Sequence, residues 1–419
     1  MKIRFLLGDA SGAGGAIRTT LTMAEALAER GHDVEVASVI HRWPRPAFPL
    51  SPQVRLVVLT RRQRVFARGW RNPRRLARRL LQAVLGRIPS RLVPRGDKLY
   101  GRVSLWTDLV LLRYLRSQHG GVLIGTNPAL NRLVGRFAPP DVVSVGEEHL
   151  NLQRRRPAVR PLLQQDYRRL DALVTLTEGD AADYQAFLGS GVHVAAVPNA
   201  VPALGVVDPA PLTAPIAVAG GRMKRQKGFD LLIRAWQPVA AAHPDWRLHL
   251  YGRGPERGAL KALVKELDLT AQVRLPGFTP VLPRKMAASS LYVLSSRYEG
   301  FPMVMLEAME CGVPVVAFDC PTGPSELIED GVNGRLVPAG AVRELSAAIL
   351  QVIEDPELRT RMGAAARETA SRYSRDAVAG RWEELLQLLV ERKRLAGRSA
   401  QLGPRPAGGT GAGWRISPR

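Results

Sequence analysis

The sequence is poor in cysteine, in lysine and in acidic residues. Only Cys311 and Cys320 occur among 419 residues, too few and wrongly spaced for a disulfide framework, a metal cage or a redox motif. Free thiols of this kind suit a reducing, cytoplasmic setting. No apolar run approaches the ~20 residues that a membrane-spanning helix needs. Residues 3–7 form a short apolar run followed at once by Gly8-Asp9 and a glycine-rich stretch, so they read as a buried first strand and not as a signal peptide. Acids number 37 against 60 basic residues, giving a net charge of +23. Hydrophobic residues make up 46%, which suits packed cores and excludes a disordered chain.

The excess charge is uneven. Residues 61–116 hold sixteen Arg or Lys against two acids, Asp97 and Asp108, a net of +14. Such a segment suits an anionic partner. The plainer reading is compositional, because only eight of the basic residues are Lys and a bias toward Arg and Ala can follow from GC-rich coding. Aromatic residues are scattered there (Phe66, Trp70, Tyr100, Trp106, Tyr114) rather than interleaved for base stacking, so no nucleic-acid partner is expected. Leu76, Leu80, Val84 and Ile88 recur every four residues beside Arg71, Arg74, Arg75, Arg78 and Arg79. That pattern predicts an amphipathic helix on an anionic membrane surface; the alternative is a leucine stripe packed on the first domain with solvated arginines.

A chain of this length calls for at least two domains. Strand and helix signals alternate from the start: a strand at 2–7, a glycine loop, a helix at 17–30 stopped by Gly31, and a strand at 34–40. This is a βαβ unit and implies a parallel sheet. Further strands are predicted at 55–59, 122–124, 142–145, 173–176 and 193–197. Pro202, Pro209, Pro211 and Pro215 mark a linker over 201–215. Alternation resumes with strands at 216–219, 247–251, 273–275, 291–294 and 313–318, and helices at 229–242, 255–267 and 302–310. The expected organisation is an α/β chain with two facing, doubly wound Rossmann-like domains: 1–200, then 216–375, a closing helix over 376–395 that packs back on the first domain, and a disordered tail over 396–419.

Ligands of open parallel sheets bind beyond the carboxyl ends of the strands. Two loops of the second half hold that place. Gly220-Gly221-Arg222-Met223-Lys224-Arg225-Gln226-Lys227-Gly228 follows a strand and leads to a helix. Its glycines permit close backbone approach, and Arg222 with Lys227 favours a diphosphate; the plainer reading is a solvated basic loop. In the second loop Glu299 precedes a helix started by Pro302, and Glu307 lies inside that helix among Met303, Leu306, Ala308 and Met309. A carboxylate in such company needs a bonding partner, and a ribose diol offers two donors. The plainer reading is an acid near a helix start and a surface acid.

The paired acids, set in Glu299-Gly300-Phe301-Pro302 and Glu307-Ala308-Met309, resemble the paired-glutamate motif of the family 4 glycosyltransferases. The Gly221-Arg222…Gln226-Lys227-Gly228 loop is similar to that family's diphosphate loop. Val197-Pro198-Asn199, Pro314-Val315-Val316-Ala317 and Gly331-Val332-Asn333-Gly334-Arg335-Leu336-Val337 extend the match over 197–338. The resemblance implies a retaining transferase of the GT-B fold that uses a nucleotide sugar, most commonly a uridine one, with no metal and no other cofactor. Arg222 and Lys227 would hold the diphosphate. Glu307 would accept from the ribose, and Glu299 with the backbone of Gly300 to Met303 would hold the transferred sugar. Arg253-Gly254 and Phe278 would flank the base, and Gly14-Gly15 would meet the diphosphate across the cleft. His149, after a strand, is the expected acceptor-side histidine. Cys320-Pro321-Thr322-Gly323-Pro324-Ser325-Glu326 resembles members that decorate cell-wall polymers. The expected acceptor is therefore a polymer or lipid-linked hydroxyl, reached from the cytoplasmic side with peripheral attachment to the inner face of the membrane. The alternatives are a soluble small acceptor, an epimerase or phosphorylase of the same architecture, and a protein that only binds membrane or nucleic acid.

Overall fold

The computed structural model describes residues 1–12, 14–43, 46–61, 80–201 and 208–402. The first sheet holds β1 (Lys2–Asp9), β2 (Asp33–His41), β3 (Arg55–Arg61), β4 (Val122–Gly125), β5 (Val143–Glu147), β6 (Ala172–Thr175) and β7 (His193–Ala196) in the order β3-β2-β1-β4-β5-β6-β7. The second holds β8 (Ile216–Gly220), β9 (Arg247–Tyr251), β10 (Val273–Gly277), β11 (Leu291–Leu294), β12 (Val315–Asp319) and β13 (Gly334–Pro338) in the order β10-β9-β8-β11-β12-β13. Every pairing is parallel. Strands covered by helices on both faces read as continuous apolar runs. Ile3, Phe5, Leu6 and Leu7 in β1, and all of β11, are buried accordingly.

Strand order reverses between β1 and β4 in the first sheet and between β8 and β11 in the second. A ligand crevice opens at such a reversal, outside the carboxyl ends of the strands. The loops flanking the second reversal are the two singled out by sequence, 220–228 and 295–302.

The domains meet through side chains from these same rims. Asn151 Nδ2 donates to Thr322 Oγ1 at 2.7 Å. Glu326 accepts from the backbone N–H groups of Glu178 and Gly179 at 3.1 and 3.2 Å, so an acid of the second domain caps a helix of the first, where it complements the positive end of the helix. The Arg154 guanidinium stacks 3.8 Å from the Tyr298 ring centroid.

The chain ends on helix Arg375–Leu402. Val378, Ala379, Trp382, Leu385, Leu386 and Leu389 enter the core of the first domain. Arg30 pairs with Glu383, and Lys393 Nζ with Asp171 at 2.6 Å. Two details differ from the sequence expectation. The helix continues past 395, where the tail was expected to begin, because the Ala, Arg, Gln and Leu there sustain a helix until the prolines beyond; 403–419 lie outside the described residues, as do 62–79 and 202–207 of the basic segment and linker. Residues 334–338, read only as a sequence match, form the edge strand β13.

Trp382 is 2% exposed among residues of the first domain. Trp382→Ala should destabilise the protein by about 3–5 kcal/mol through lost burial and a residual cavity. Urea denaturation measures it, and a loss under about 1 kcal/mol would mean the helix is not integral to that core.

Candidate active site

Backbone packing builds one rim of the cleft, at the carboxyl ends of β8, β9 and β11. Gly228 has φ +61°, and a Cβ there would lie 1.9 Å from the Ser295 carbonyl oxygen. A Cβ on Gly252 would lie 1.8 Å from the Gly221 oxygen, and one on Gly254 2.2 Å from the Met223 oxygen. The loops after β8, β9 and β11 therefore stack backbone on backbone, which only glycine permits. Arg297 locks them further, with Nη1 and Nη2 on the Asp230 carboxylate at 2.8 and 2.7 Å, and its N–H donating to Gln226 O at 2.8 Å. Met223 is fully buried and anchors the loop. Its neighbour Arg222 is exposed, with no ion pair among the described residues.

Glu299 and Glu307 are 7% and 8% exposed. Glu307 is therefore not the surface acid of the plainer reading, and Glu299, near the helix start, is buried as well. Glu299 Oε1 accepts from Lys227 Nζ at 2.6 Å and from the Ser296 hydroxyl. Its backbone is pinned to the segment after β12, since Glu299 N donates to Pro321 O at 2.9 Å and Thr322 N to Glu299 O at 3.2 Å. Glu307 lies in helix Met303–Glu310 beside the buried Leu306, Ala308 and Met309. Burial raises its pKa, and the Arg18 guanidinium pulls it back. Arg18 Nη1 stands 3.4 Å from Glu307 Oε1 across the cleft.

Arg18 was missed in the sequence reading. It occupies the first turn of helix Gly15–Glu29, whose N-cap Gly14 is extended and provides no side-chain cap. A cation just after the Gly14-Gly15 pair was the available signal. Through it the structure joins Gly14 and Gly15 to Glu307. Lys227 and Glu299 are in direct contact, and Gly300, Phe301, Pro302 and Met303 bridge the two glutamates in sequence. Phe278 is 62% exposed, with the Arg253 guanidinium 5.6 Å from its ring centroid. They stand on the adjacent loops after β10 and β9, and Gly254 packs on Met223.

The opposing rim is the end of β5. A Cβ on Gly300 would come 2.7 Å from the His149 carbonyl oxygen, so the His149 backbone abuts the Glu299 loop. Both ring nitrogens are buried and lack a hydrogen-bond partner. Burial first, and Arg155 second, push its pKa down to about 4, so the imidazole is neutral at pH 7. Glu147 Oε2 lies 3.6 Å from His149 Nε2. Burial and the charge of Glu148 push Glu147 up to about 8. Glu148 is bonded by Arg155 and by the Tyr167 hydroxyl. Among the described residues no group of His, Cys, Asp and Glu could hold a metal ion.

A model of the family "Glycosyl transferases group 1" matches residues 207–369. An exopolysaccharide phosphotransferase of Streptomyces coelicolor is 36% identical over 99% of this chain. The chain spans 44% of that relative's length. An uncharacterised glycosyltransferase of Haemophilus influenzae is 26% identical over 92% of this chain and 99% of its own. The structure of S. aureus TarM with fondaparinux, α-GlcNAc-glycerol and UDP superposes with a TM-score of 0.69 at 16% identity, over 92% of this chain and 99% of that one. The architecture is thus the GT-B fold, two facing Rossmann-like domains, as the sequence implied.

The β5 cluster generates a pH prediction. Glu147 has a folded pKa of about 8 against 4.5 for the free side chain. Its contribution to stability is therefore full below pH 4.5 and is lost as pH rises through about 8. Over that window it should cost up to about 1.4 kcal/mol per pH unit. Glu147→Gln should flatten the fall of the urea midpoint between pH 4.5 and about 8. An unchanged slope over that window in the variant would show that Glu147 does not titrate there.

Proposed function

We propose that the protein is a family 4 glycosyltransferase, retaining and metal-independent, that transfers a hexose or N-acetylhexosamine from a nucleotide sugar, a UDP sugar, to an acceptor hydroxyl in cell-envelope polysaccharide, teichoic-acid or glycolipid synthesis. One observation carries this reading: two carboxylates, Glu299 and Glu307, are buried at the carboxyl end of β11 beside a rim of exposed cations. Buried acids next to open cations suit a ligand with both hydroxyl donors and a diphosphate. The matched family model and the UDP and α-GlcNAc-glycerol held by TarM support it.

Each group then has a task. Glu307 accepts from the ribose hydroxyls. Arg222 and Lys227 neutralise the diphosphate, whose charge grows as the sugar leaves. Glu299 and the backbone N–H groups of Gly300 to Met303 hold the sugar. The acceptor hydroxyl arrives on the face from which the diphosphate departs, and its proton passes to a phosphate oxygen. Neutral His149 lines the acceptor side as a hydrogen-bonding group. Phe278, with Arg253 beside it, offers the base a stacking face.

The acceptor reading rests partly on the surface near the basic segment. Residues 80–85 are helical, and Leu80, Leu81, Val84 and Ile88 are 61%, 49%, 57% and 37% exposed. The described part of the leucine stripe, Leu80, Val84 and Ile88, is exposed rather than buried in the first domain's core. Adjacent exposed apolar side chains flanked by arginine suit an anionic bilayer surface, and we propose attachment there on the cytoplasmic side. No described helix is long and apolar enough to cross a membrane.

Glu307→Ala should weaken UDP binding about ten- to a hundredfold, from lost charged hydrogen bonds of ~1.5–3 kcal/mol; normal affinity in calorimetry would end the ribose assignment. The double variant Arg222→Ala, Lys227→Ala should stay folded and lose sugar transfer, and near-normal turnover would remove the diphosphate role. In co-sedimentation, the protein should pellet with anionic but not neutral vesicles and lose binding with salt. It should also lose binding when Leu80, Leu81 and Val84 become Ser. Equal recovery in the supernatant with both lipids would point to a soluble acceptor.

A further inference from the structure

Arg18 and Glu307 are 289 positions apart and belong to opposite domains, yet Nη1 and Oε1 stand 3.4 Å apart. The two partners are unequally placed: the Glu307 side chain is 10% exposed and that of Arg18 44%. A guanidinium carries five N–H donors. The single contact to Glu307 uses one of them, and no other ion pair holds Arg18 among the described residues. The same first helical turn contains no acid, and Gly14 gives it no side-chain cap. A partly exposed arginine held at one edge by a buried acid, at an uncapped helix start and with no other side-chain hydrogen bond among the described residues, is built to receive a second anion.

We propose that Arg18 is a donor-binding cation supplied by the first domain, gripping the diphosphate of the nucleotide sugar while Glu307 accepts from its ribose. The assignment rests on the donor-site reading above and adds a residue which that reading does not contain. The chemistry of a nucleoside diphosphate fits the pair. The ribose carries its diphosphate on the 5′ carbon, which joins the ring next to the 3′ carbon, so a cation beside the acid that holds the diol is within reach of phosphate oxygens. Ribose hydroxyls donating to Glu307 and phosphate oxygens accepting from Arg18 give both side chains further hydrogen-bond partners. Burial raises the Glu307 pKa, and the Arg18 charge partly opposes that rise.

The competing role is purely structural: Arg18 offsets the buried charge of Glu307 and touches no ligand. A double-mutant cycle separates the two. Calorimetry compares wild type, Arg18→Ala, Glu307→Gln and the double variant, each with UDP and with uridine. The proposal expects Arg18→Ala to weaken UDP about ten- to a hundredfold, to change uridine by less than about threefold, and to keep its effect on UDP in the Glu307→Gln background. Arg18→Lys should recover part of the loss, because an ammonium replaces the charge but not the fork. Arg18 is dismissed as a ligand if UDP and uridine weaken equally, if UDP binds the variant normally, or if the effect vanishes once Glu307 is Gln. A different result sinks the donor reading itself: wild type binding none of UDP, GDP, ADP and TDP. The two failures are thus told apart by the wild-type titration.

Discussion

The structure turns on a pair of buried carboxylates. Removing a carboxylate from water costs several kcal/mol unless another charge or a set of donors compensates it. Glu299 and Glu307 both sit below a tenth of full exposure, and each is met by a cation from a different place. Lys227 comes from the loop after β8 in the same domain, and Arg18 from the first helix of the other. The first pair is short and local. The second exists only because the first helix of one domain reaches the helix that carries Glu307 in the other. Domain placement and site electrostatics are therefore one constraint.

Holding these pairs requires loops that approach one another more closely than side chains allow. Gly228 against Ser295, Gly252 against Gly221 and Gly300 against His149 each leave no room for a methyl group. The first two bring the loop carrying Lys227 within reach of Glu299. The last brings the β5 rim onto the loop of Glu299 across the cleft. Asn151, Thr322 and Glu326 then fix the remaining edge. The glycines set the distances, and the polar contacts hold them.

Much of this was legible because it is local. Both sheets, and the two loops at the second reversal, follow from alternation of apolar runs with glycine and proline punctuation, where period and length agree. Glu307 announced itself as an acid inside an apolar helix. Arg18 did not, since an arginine in the first turn of an amphipathic helix looks like any solvated residue, and its partner lies in the other domain. Glu147 was hidden for a related reason: Glu147-Glu148-His149 reads as a polar strand end, and only the packing shows that Glu148 gains Arg155 and Tyr167 while Glu147 gains no hydrogen bond on Oε2. β13 was missed because Gly334-Arg335-Leu336-Val337-Pro338 mixes a glycine, a charge and a proline, features that an edge strand tolerates and a central one does not.

The charge states of the two rims give the cleft a direction. On the β5 side, burial leaves His149 neutral and favours a protonated Glu147, so neither carries charge toward the Gly300 loop. On the β8 side, Arg222 is exposed and Lys227 is bonded to Glu299. Arg18, at an uncapped helix start, reaches Glu307 from the first domain. A ligand that is doubly charged in its middle and neutral at one end meets a field that distinguishes its two ends before any hydrogen bond forms. The nucleotide sugar proposed above is such a ligand, with a diphosphate for the cationic rim and a neutral sugar for the rim where ionisation is suppressed. The proposed orientation, sugar toward His149 and nucleotide toward Phe278, accords with where the fold tolerates charge and where it buries it.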